Sequence, residues 1–326
     1  MSEKIFLGLD TSNYTTSLAI LGEDGRLLAN LKKLLPVKQG ERGLRQSDAV
    51  FAHVKNLPTL FEMAESIIAD NEIAVVGVSD KPRRLEGSYM PCFLAGVNVA
   101  TGISVSCGVP LKKFSHQCGH IMAAIYSSGN FGLLTRDFAA FHISGGTTEL
   151  LHVHPQIGGF KAAHIGGTRD LNAGQVIDRV GVAMGCSFPA GRELEALALE
   201  NSVKIPKRKI SRDGLWINLS GVENMAADLF SKTSDKALVS AFVLDYIGNC
   251  IAELSEAYME KYGETHFVYA GGVMSNSIIK EMLSKRFSCS FAEPAMSADN
   301  AVGIAYLAYL ASKNDSSGED NGYILP

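Results

Sequence analysis

The chain has 326 residues, 46% hydrophobic and 20% charged, which is enough apolar material for two ordinary folded domains and excludes disorder as the main state. Its 30 basic and 34 acidic residues leave a formal charge of -4. Bulk charge therefore argues against nucleic-acid binding, which would need a local basic patch.

Residues 5–10 are a short apolar run ending in Asp10 and predict a strand directly after the N-terminus, without a signal-peptide layout. Turn residues 11–14 lead to a second expected strand over 15–21. Past Glu23-Asp24-Gly25 comes a third over 26–31. Helical periodicity runs over 48–71, with Val54, Leu57, Leu60, Phe61, Ala64, Ile67 and Ile68 on one broad face. A buried strand is expected over 74–78, a helix over 90–103, a lead into a strand over 105–110 and a helix over 115–127. The apolar region 89–111 is broken by Pro91, Asn98, Thr101 and Pro110, so it reads as helix plus strand and not as a membrane span.

The pattern then restarts. Residues 138–143 read as a strand, Ser144-Gly145-Gly146-Thr147 as a turn and 148–153 as the returning strand. Thr147-Thr148 then Leu150 echoes Thr15-Thr16 then Leu18, which points to two related halves. Helices are expected over 173–184, 192–200, 222–231, 236–262, 276–285 and 301–312, and a strand over 267–270. Strands alternating with helices in both halves indicate an α/β architecture. The expected domains are 1–133 and 134–313, the last helix packing back on the first, with a polar tail over 314–326. Cys92, Cys107, Cys118, Cys186, Cys250 and Cys289 form no C-x-x-C pair and read as reduced thiols of a cytoplasmic protein.

Several motifs have the residue types for chemistry. His116 and His120 are four apart, so on a helix both rings share a face and can share a metal, while Cys118 points away. The other reading is a pair that caps the helix or bonds backbone. No Glu follows His116, so the H-E-x-x-H pattern and its general base are missing. The glycines of 144–148 let turn amides approach a phosphate, or form a plain hairpin turn. Asp178, in the segment after Gly166-Gly167-Thr168-Arg169-Asp170, either bonds a ribose hydroxyl or pairs with Arg179 or Arg169. Gly271-Gly272 followed by a helix start is a way to place a nucleotide, with Asn276 as a contact or an N-cap. Asp299 is either the N-cap of the last helix or the oxygen ligand missing from the histidine pair. Two imidazoles and a carboxylate suit iron, zinc and manganese alike. Lys204, Lys207, Arg208, Lys209 and Arg212 form a basic cluster, either a solvated loop or a contact for RNA backbone.

In this order, over residues 5–310, the motifs resemble the tRNA threonylcarbamoyladenosine synthase family, formerly described as O-sialoglycoprotein endopeptidases. The resemblance implies the two-lobed actin-like ATPase fold of sugar kinases and heat-shock ATPases, with duplicated RNase H-like sheets. It implies that His116, His120 and Asp299 hold one divalent metal, iron or zinc. It also implies that Ile143, Ser144, Gly145, Gly146 and Thr147 bind the adenylate, that Asp178 holds ribose, and that Gly191, Gly271, Gly272 and Asn276 contact the nucleotide. The implied activity is transfer of a threonylcarbamoyl group from threonylcarbamoyl-AMP, or with ATP and AMP as related ligands, to the adenosine beside a tRNA anticodon. A small paralogous partner, or a homodimer through the N-terminal lobe, is implied as well.

This chain departs from the family at several points. Cys118 replaces the acid of H-x-E-G-H, and Thr147 the histidine of S-G-G-H-T. Leu171, Asn172 and Gln175 fall in the D-D-A-A-G-E segment, which loses two acids; Glu223 replaces the lysine of S-G-L-K. Lys81-Pro82-Arg83-Arg84-Leu85-Glu86-Gly87 stands where the family has a glycine-rich G-P-G-L segment. These changes fit a divergent paralogue. The alternatives are a related transferase with a different acceptor and a nucleotide-binding, non-catalytic protein; a peptidase is least favoured, since no general base adjoins the metal.

Overall fold

The computed structural model describes residues 2–12, 14–36, 44–297 and 299–315. Most of the tail expected over 314–326 lies outside the described residues. The chain divides into two compact units: Met1–Leu134 with Pro155–Phe160 and the described residues from Asp299 on, and Thr135–His154 with Lys161–Ser297.

The first unit opens with the meander β1 (Lys4–Ser12), β2 (Thr15–Leu21) and β3 (Leu27–Leu34). It continues through α1 (Gln46–Met63), α2 (Glu65–Ala69), β4 (Glu72–Lys81), α3 (Phe93–Cys107), β5 (Leu111–Ser115) and α4 (His116–Ser128). Its five-stranded sheet has the order β3-β2-β1-β4-β5, the β1–β4 and β4–β5 pairs being parallel. Ile5, Leu7 and Leu9 of β1 pack with Leu57 and Leu60 of α1 and Ala100 of α3. Val54 is not on that buried face; it is 55% exposed. His53 and Asn56 turn inward instead, because the Thr16 hydroxyl bonds both: 2.8 Å to His53 Nδ1 and 3.1 Å from Asn56 Nδ2. Residues 105–107 also differ from expectation. They continue α3, which Gly108 ends with φ 67°, and the strand starts only at Leu111.

The second unit contains β6 (Phe138–Ile143), β7 (Thr148–Gln156) and β8 (Gly159–Thr168) except for their ends within 155–160, α5 (Ala173–Ala183), α6 (Gly191–Leu199), β9 (Arg212–Asp213) and β10 (Trp216–Ile217). Then come α7 (Ser220–Thr233), α8 (Lys236–Tyr262), β11 (Phe267–Ala270), α9 (Ser277–Ser284), β12 (Cys289–Phe291) and α10 (Pro294–Ser297). The seven-stranded sheet runs β12-β11-β6-β7-β8-β10-β9. By length and composition α8 could cross a membrane, but 78% of its most apolar window is buried inside the protein. Its Leu254, Ala257 and Tyr258 belong to the same core as Phe141, Phe267 and Tyr269 of the sheet. The four strands β8, β9, β10 and β12 were not expected. Three have only two or three residues, and β8 mixes buried and exposed positions without clean alternation.

The last helix, α11 (Val302–Asp315), lies in the first unit against β1, β4 and α4. Small residues permit the approach. A Cβ on Gly8 of β1 would stand 2.6 Å from Ala301 O. One on Gly303 would overlap the carbonyl oxygen of Gly119 in α4 and stand 2.8 Å from Ala123 N. Backbone is in the way at both places, so the neighbours cannot yield cheaply. Gly303→Ala is expected to destabilise the protein by about 1–3 kcal/mol through overpacking. A lowered urea midpoint at unchanged slope checks this; an unmoved midpoint would show that α4 and α11 can part without cost.

Candidate functional site

In the first unit, Ser115 caps α4: its hydroxyl accepts the Cys118 amide at 3.3 Å. The cap is therefore this serine, not a histidine. His116 and His120, one turn apart, bring their rings to a centroid distance of 4.4 Å and their Nε2 atoms to 3.0 Å. The close seating of α11 on α4 carries Asp299 to the same point. Its Oδ1 lies 3.5 Å from His116 Nε2 and 3.4 Å from His120 Nε2. The cap role open to Asp299 is filled by its neighbour, since Asn300 Oδ1 accepts the Val302 amide at 3.0 Å.

These three donor atoms form a nearly even triangle. Ligands at about 2.0–2.2 Å from one tetrahedral ion lie about 3.3–3.6 Å from each other. The observed edges of 3.0, 3.4 and 3.5 Å come close to that spacing, and the donor set of two imidazole nitrogens and one carboxylate oxygen suits a divalent transition ion. It is the one such cluster found among the described residues. Cys118 is not part of it; the thiol is buried near Arg84, Phe114 and Leu307, and burial pushes its pKa up.

Asp10 completes the arrangement and was not singled out from the sequence. It ends the apolar stretch of β1 and is fully buried. Its Oδ2 takes the His116 Nδ1 hydrogen bond at 2.7 Å and the Ser79 hydroxyl at 2.7 Å, while Oδ1 accepts the Ser12 amide at 2.9 Å. A carboxylate on Nδ1 fixes the ring and leaves Nε2 facing the triangle. Burial would raise the Asp10 carboxyl, but the His116 charge and the bonds from His116 and Ser79 outweigh it and hold the group low. Asp299 is held well below the usual carboxylate range, the His116 and His120 bonds again overcoming burial. Burial opposes protonation of His116, yet the two carboxylates raise it to about 10; burial and the His116 charge lower His120.

In the second unit, the turn after buried Ile143 is closed by Ser144 N donating to Thr147 O at 2.8 Å and Gly146 N donating to Ser144 Oγ at 3.3 Å. Gly145 and Gly146 are exposed, with no atom within 4 Å of where a Cβ would sit. Gly174, in the first turn of α5, packs on this turn, a Cβ there lying 2.7 Å from Ser144 O. Gly271, at φ 99°, ends β11 against Ile143; a Cβ there would lie 2.8 Å from the Ile143 carbonyl carbon. The 143–147 turn and Gly271-Gly272 thus sit side by side at the carboxyl ends of two parallel strands, the usual place for a ligand in such sheets.

The remaining residues have structural partners. Asn276 caps α9, its Oδ1 accepting the Ile279 amide at 3.1 Å. Asp178 pairs with neither arginine; its Oδ1 accepts the Ala190 amide at 2.8 Å, just before Gly191 opens α6, and burial raises its pKa. Arg169 pairs with Asp213 at 2.8 Å and Arg179 with Glu223 at 3.2 Å. Gln175 closes a capping box with Asn172, and Leu171 packs against the core. Asp170 accepts the amides of Leu171, Leu219 and Ser220. Burial would raise it, but the Ser220 and Leu219 bonds lower it to about 2, so it serves as a pin at the start of α7. Lys204, Lys207, Arg208 and Lys209 are exposed, whereas Arg212 is held by Glu253 at 3.9 Å and Glu260 at 3.2 Å.

Among solved structures, T. kodakarensis HypF matches with a TM-score of 0.61 at 11% identity, over 96% of this chain and 48% of that one. The activator of the 2-hydroxyisocaproyl-CoA dehydratase from Clostridium difficile, with bound ADPNP, matches with a TM-score of 0.55 at 13% identity, over 96% and 97%. Such likenesses show the fold, and it is the actin-like ATPase fold. A Streptococcus pneumoniae (strain Taiwan19F-14) protein described as tRNA N6-adenosine threonylcarbamoyltransferase is 29% identical over 322 residues, covering 94% of this chain and 92% of its own. A Streptococcus suis (strain 05ZYH33) protein of the same description is 29% identical over 296 residues, covering 87% and 84%. The sequence model of that family matches residues 37–306. The chain belongs to the tRNA N6-adenosine threonylcarbamoyltransferase family.

Proposed function

We propose that this chain transfers a threonylcarbamoyl group from threonylcarbamoyl-AMP to N6 of the adenosine beside a tRNA anticodon. The observation that carries the reading is the convergence of His116 Nε2, His120 Nε2 and Asp299 Oδ1 in a member of this family. These residues would hold one divalent cation, iron or zinc, which when bound supplies Lewis-acid polarisation of the acyl carbonyl. Asp10 keeps His116 in the orientation that ligation needs.

In the second unit, the amide of Gly145 offers a donor to the AMP phosphate, and the open space over Gly145 and Gly146 admits it. Gly271 and Gly272 extend that surface, Asp178 and Gly191 would take the ribose side, and Asn276 fixes the helix start beside them. In the reaction the adenosine N6 attacks the carbamoyl carbon. A C–N bond forms, the C–O bond to phosphate breaks, AMP leaves with the electron pair, and N6 gives up a proton.

An open apolar groove on the first unit, lined by Phe61, Ile68, Ile73, Val99 and Ile103, supports docking of a small paralogous chain or a second copy. The six unbridged cysteines fit a reducing cytoplasm. Incubating the metal-loaded protein with threonylcarbamoyl-AMP and tRNA should yield threonylcarbamoyladenosine in the digested RNA, one per AMP released, detected by mass spectrometry. AMP release without modified nucleoside would move the acceptor elsewhere, the outcome that the changed residues Cys118, Thr147 and Glu223 make worth testing.

A further inference from the structure

We propose that the phosphate backbone of the acceptor RNA docks on a basic edge of the first unit made by Lys81, Arg83, Arg84, Lys112 and Lys113. The inference rests on the tRNA reading above and adds a surface to it. Lys81 ends β4, and the chain then crosses to β5, the edge strand of the five-stranded sheet. Pro82 O accepts the Gln117 amide at 3.0 Å, which pins this crossing to the first turn of α4, one residue from His116. Arg84 Nη2 donates to Lys113 O at 3.1 Å, which ties the crossing to β5. Charge is one way a sheet edge is kept from pairing with another chain. Here it is also concentrated.

Lys112 and Lys113 are consecutive on β5, register with Gly77 and Val78 of β4, and therefore point to opposite faces of the edge. Lys113 is exposed and the other four are half-buried, held near the surface. Asp80 and Glu86 are the acids of the same segments, leaving five cations against two carboxylates in a chain whose overall charge is -4. This is the local patch that RNA binding by an acidic protein requires.

The arrangement fits a polyanion better than a single phosphate. The cations are strung along one edge and both its faces and do not converge on one point with backbone amides, as a phosphate cradle does. The patch adjoins the helix that carries His116 and His120, where an acceptor must be delivered. It also occupies the segment in which this chain departs from the family's glycine-rich pattern.

The test is tRNA binding by fluorescence anisotropy across 50–200 mM salt, with wild type, Arg83→Ala/Lys113→Ala, Arg83→Lys/Lys113→Arg and, for comparison, Lys207→Ala/Lys209→Ala. The alanine pair should weaken binding about tenfold at low salt and flatten the log–log salt slope by about 1.5–2, roughly one phosphate contact per cation lost. The charge-preserving pair should bind like wild type, and all variants should bind AMP equally. Should the alanine pair fail to fold, Lys81→Gln/Lys112→Gln carries the same expectation. Wild-type binding with an unchanged affinity and slope in the alanine pair overturns the docking edge alone. No tRNA binding by wild type at low salt overturns both the edge and the tRNA reading.

Discussion

His120→Ala is expected to leave the purified chain without its divalent ion and to lower acyl transfer by at least about a thousandfold, while Cys118→Ala two residues away leaves both near wild type. The three donors are the minimum that a catalytic site of this kind uses, and removing one leaves two ligands on a weakly held ion. His116→Ala and Asp299→Asn should behave alike, because each removes one corner of the same triangle. Cys118 is buried on the same helix but outside that triangle, so its substitution perturbs packing and not ligation. Metal content per chain, measured by mass spectrometry of the desalted protein, is read beside the transfer rate. Chelation of wild type should reproduce the loss, and re-addition of Fe2+, Zn2+ or Mn2+ should rank the ions that restore it. Full activity in a His120→Ala protein that contains no metal would falsify the assignment.

Local pattern revealed some of this architecture and hid the rest for physical reasons. The helix expected over 236–262 and the strand over 267–270 are present with those bounds, because each is a continuous apolar signal with polar punctuation. The spacing of His116 and His120 put both rings on one helix face, as they are. Whether Asp299 or Asn300 caps the last helix was not legible, since both are good N-caps; the contact of Gly303 with Gly119 decides it by bringing Asp299 over α4. On α1, hydrophobicity favoured Val54 over His53 as a core position. The buried Thr16 hydroxyl on a strand distant in sequence reverses that order, and a one-residue shift turns a helix face by about 100°. Asp10 looked like an ordinary strand-ending acid. Its partners Ser79 and His116 come from two later elements, so only the assembled sheet reveals the role. Residues 81–87 were visible as a departure in sequence but not as a basic patch, because their ties to α4 and β5 depend on two hydrogen bonds that no local pattern encodes.

Asp10→Asn should weaken metal affinity about 10–100-fold, the range for removal of a carboxylate behind a ligating histidine, without removing any ligand. The substitution preserves shape but creates a conflict of donors. If the amide nitrogen faces His116, two donors oppose each other unless the ring moves its proton to Nε2, the atom that faces His120 and Asp299. If the side chain is flipped, its carbonyl serves His116 and Ser79 but its NH2 opposes the Ser12 amide. Either arrangement leaves a buried donor unsatisfied, at a cost of about 1–3 kcal/mol, and the first also removes the lone pair that ligation requires. Two readouts separate this positioning role from ligation. Competition against a chelator should show the reduced affinity, and transfer activity should recover at saturating metal, as it does not in His120→Ala. Nitrogen chemical shifts of the His116 ring, followed against pH on the metal-free protein, should show the imidazolium giving up its proton at a lower pH than in wild type, because one of the two carboxylates that raise its pKa is gone. An affinity equal to wild type would mean that α4 alone orients His116 and that Asp10 serves only the packing of the sheet.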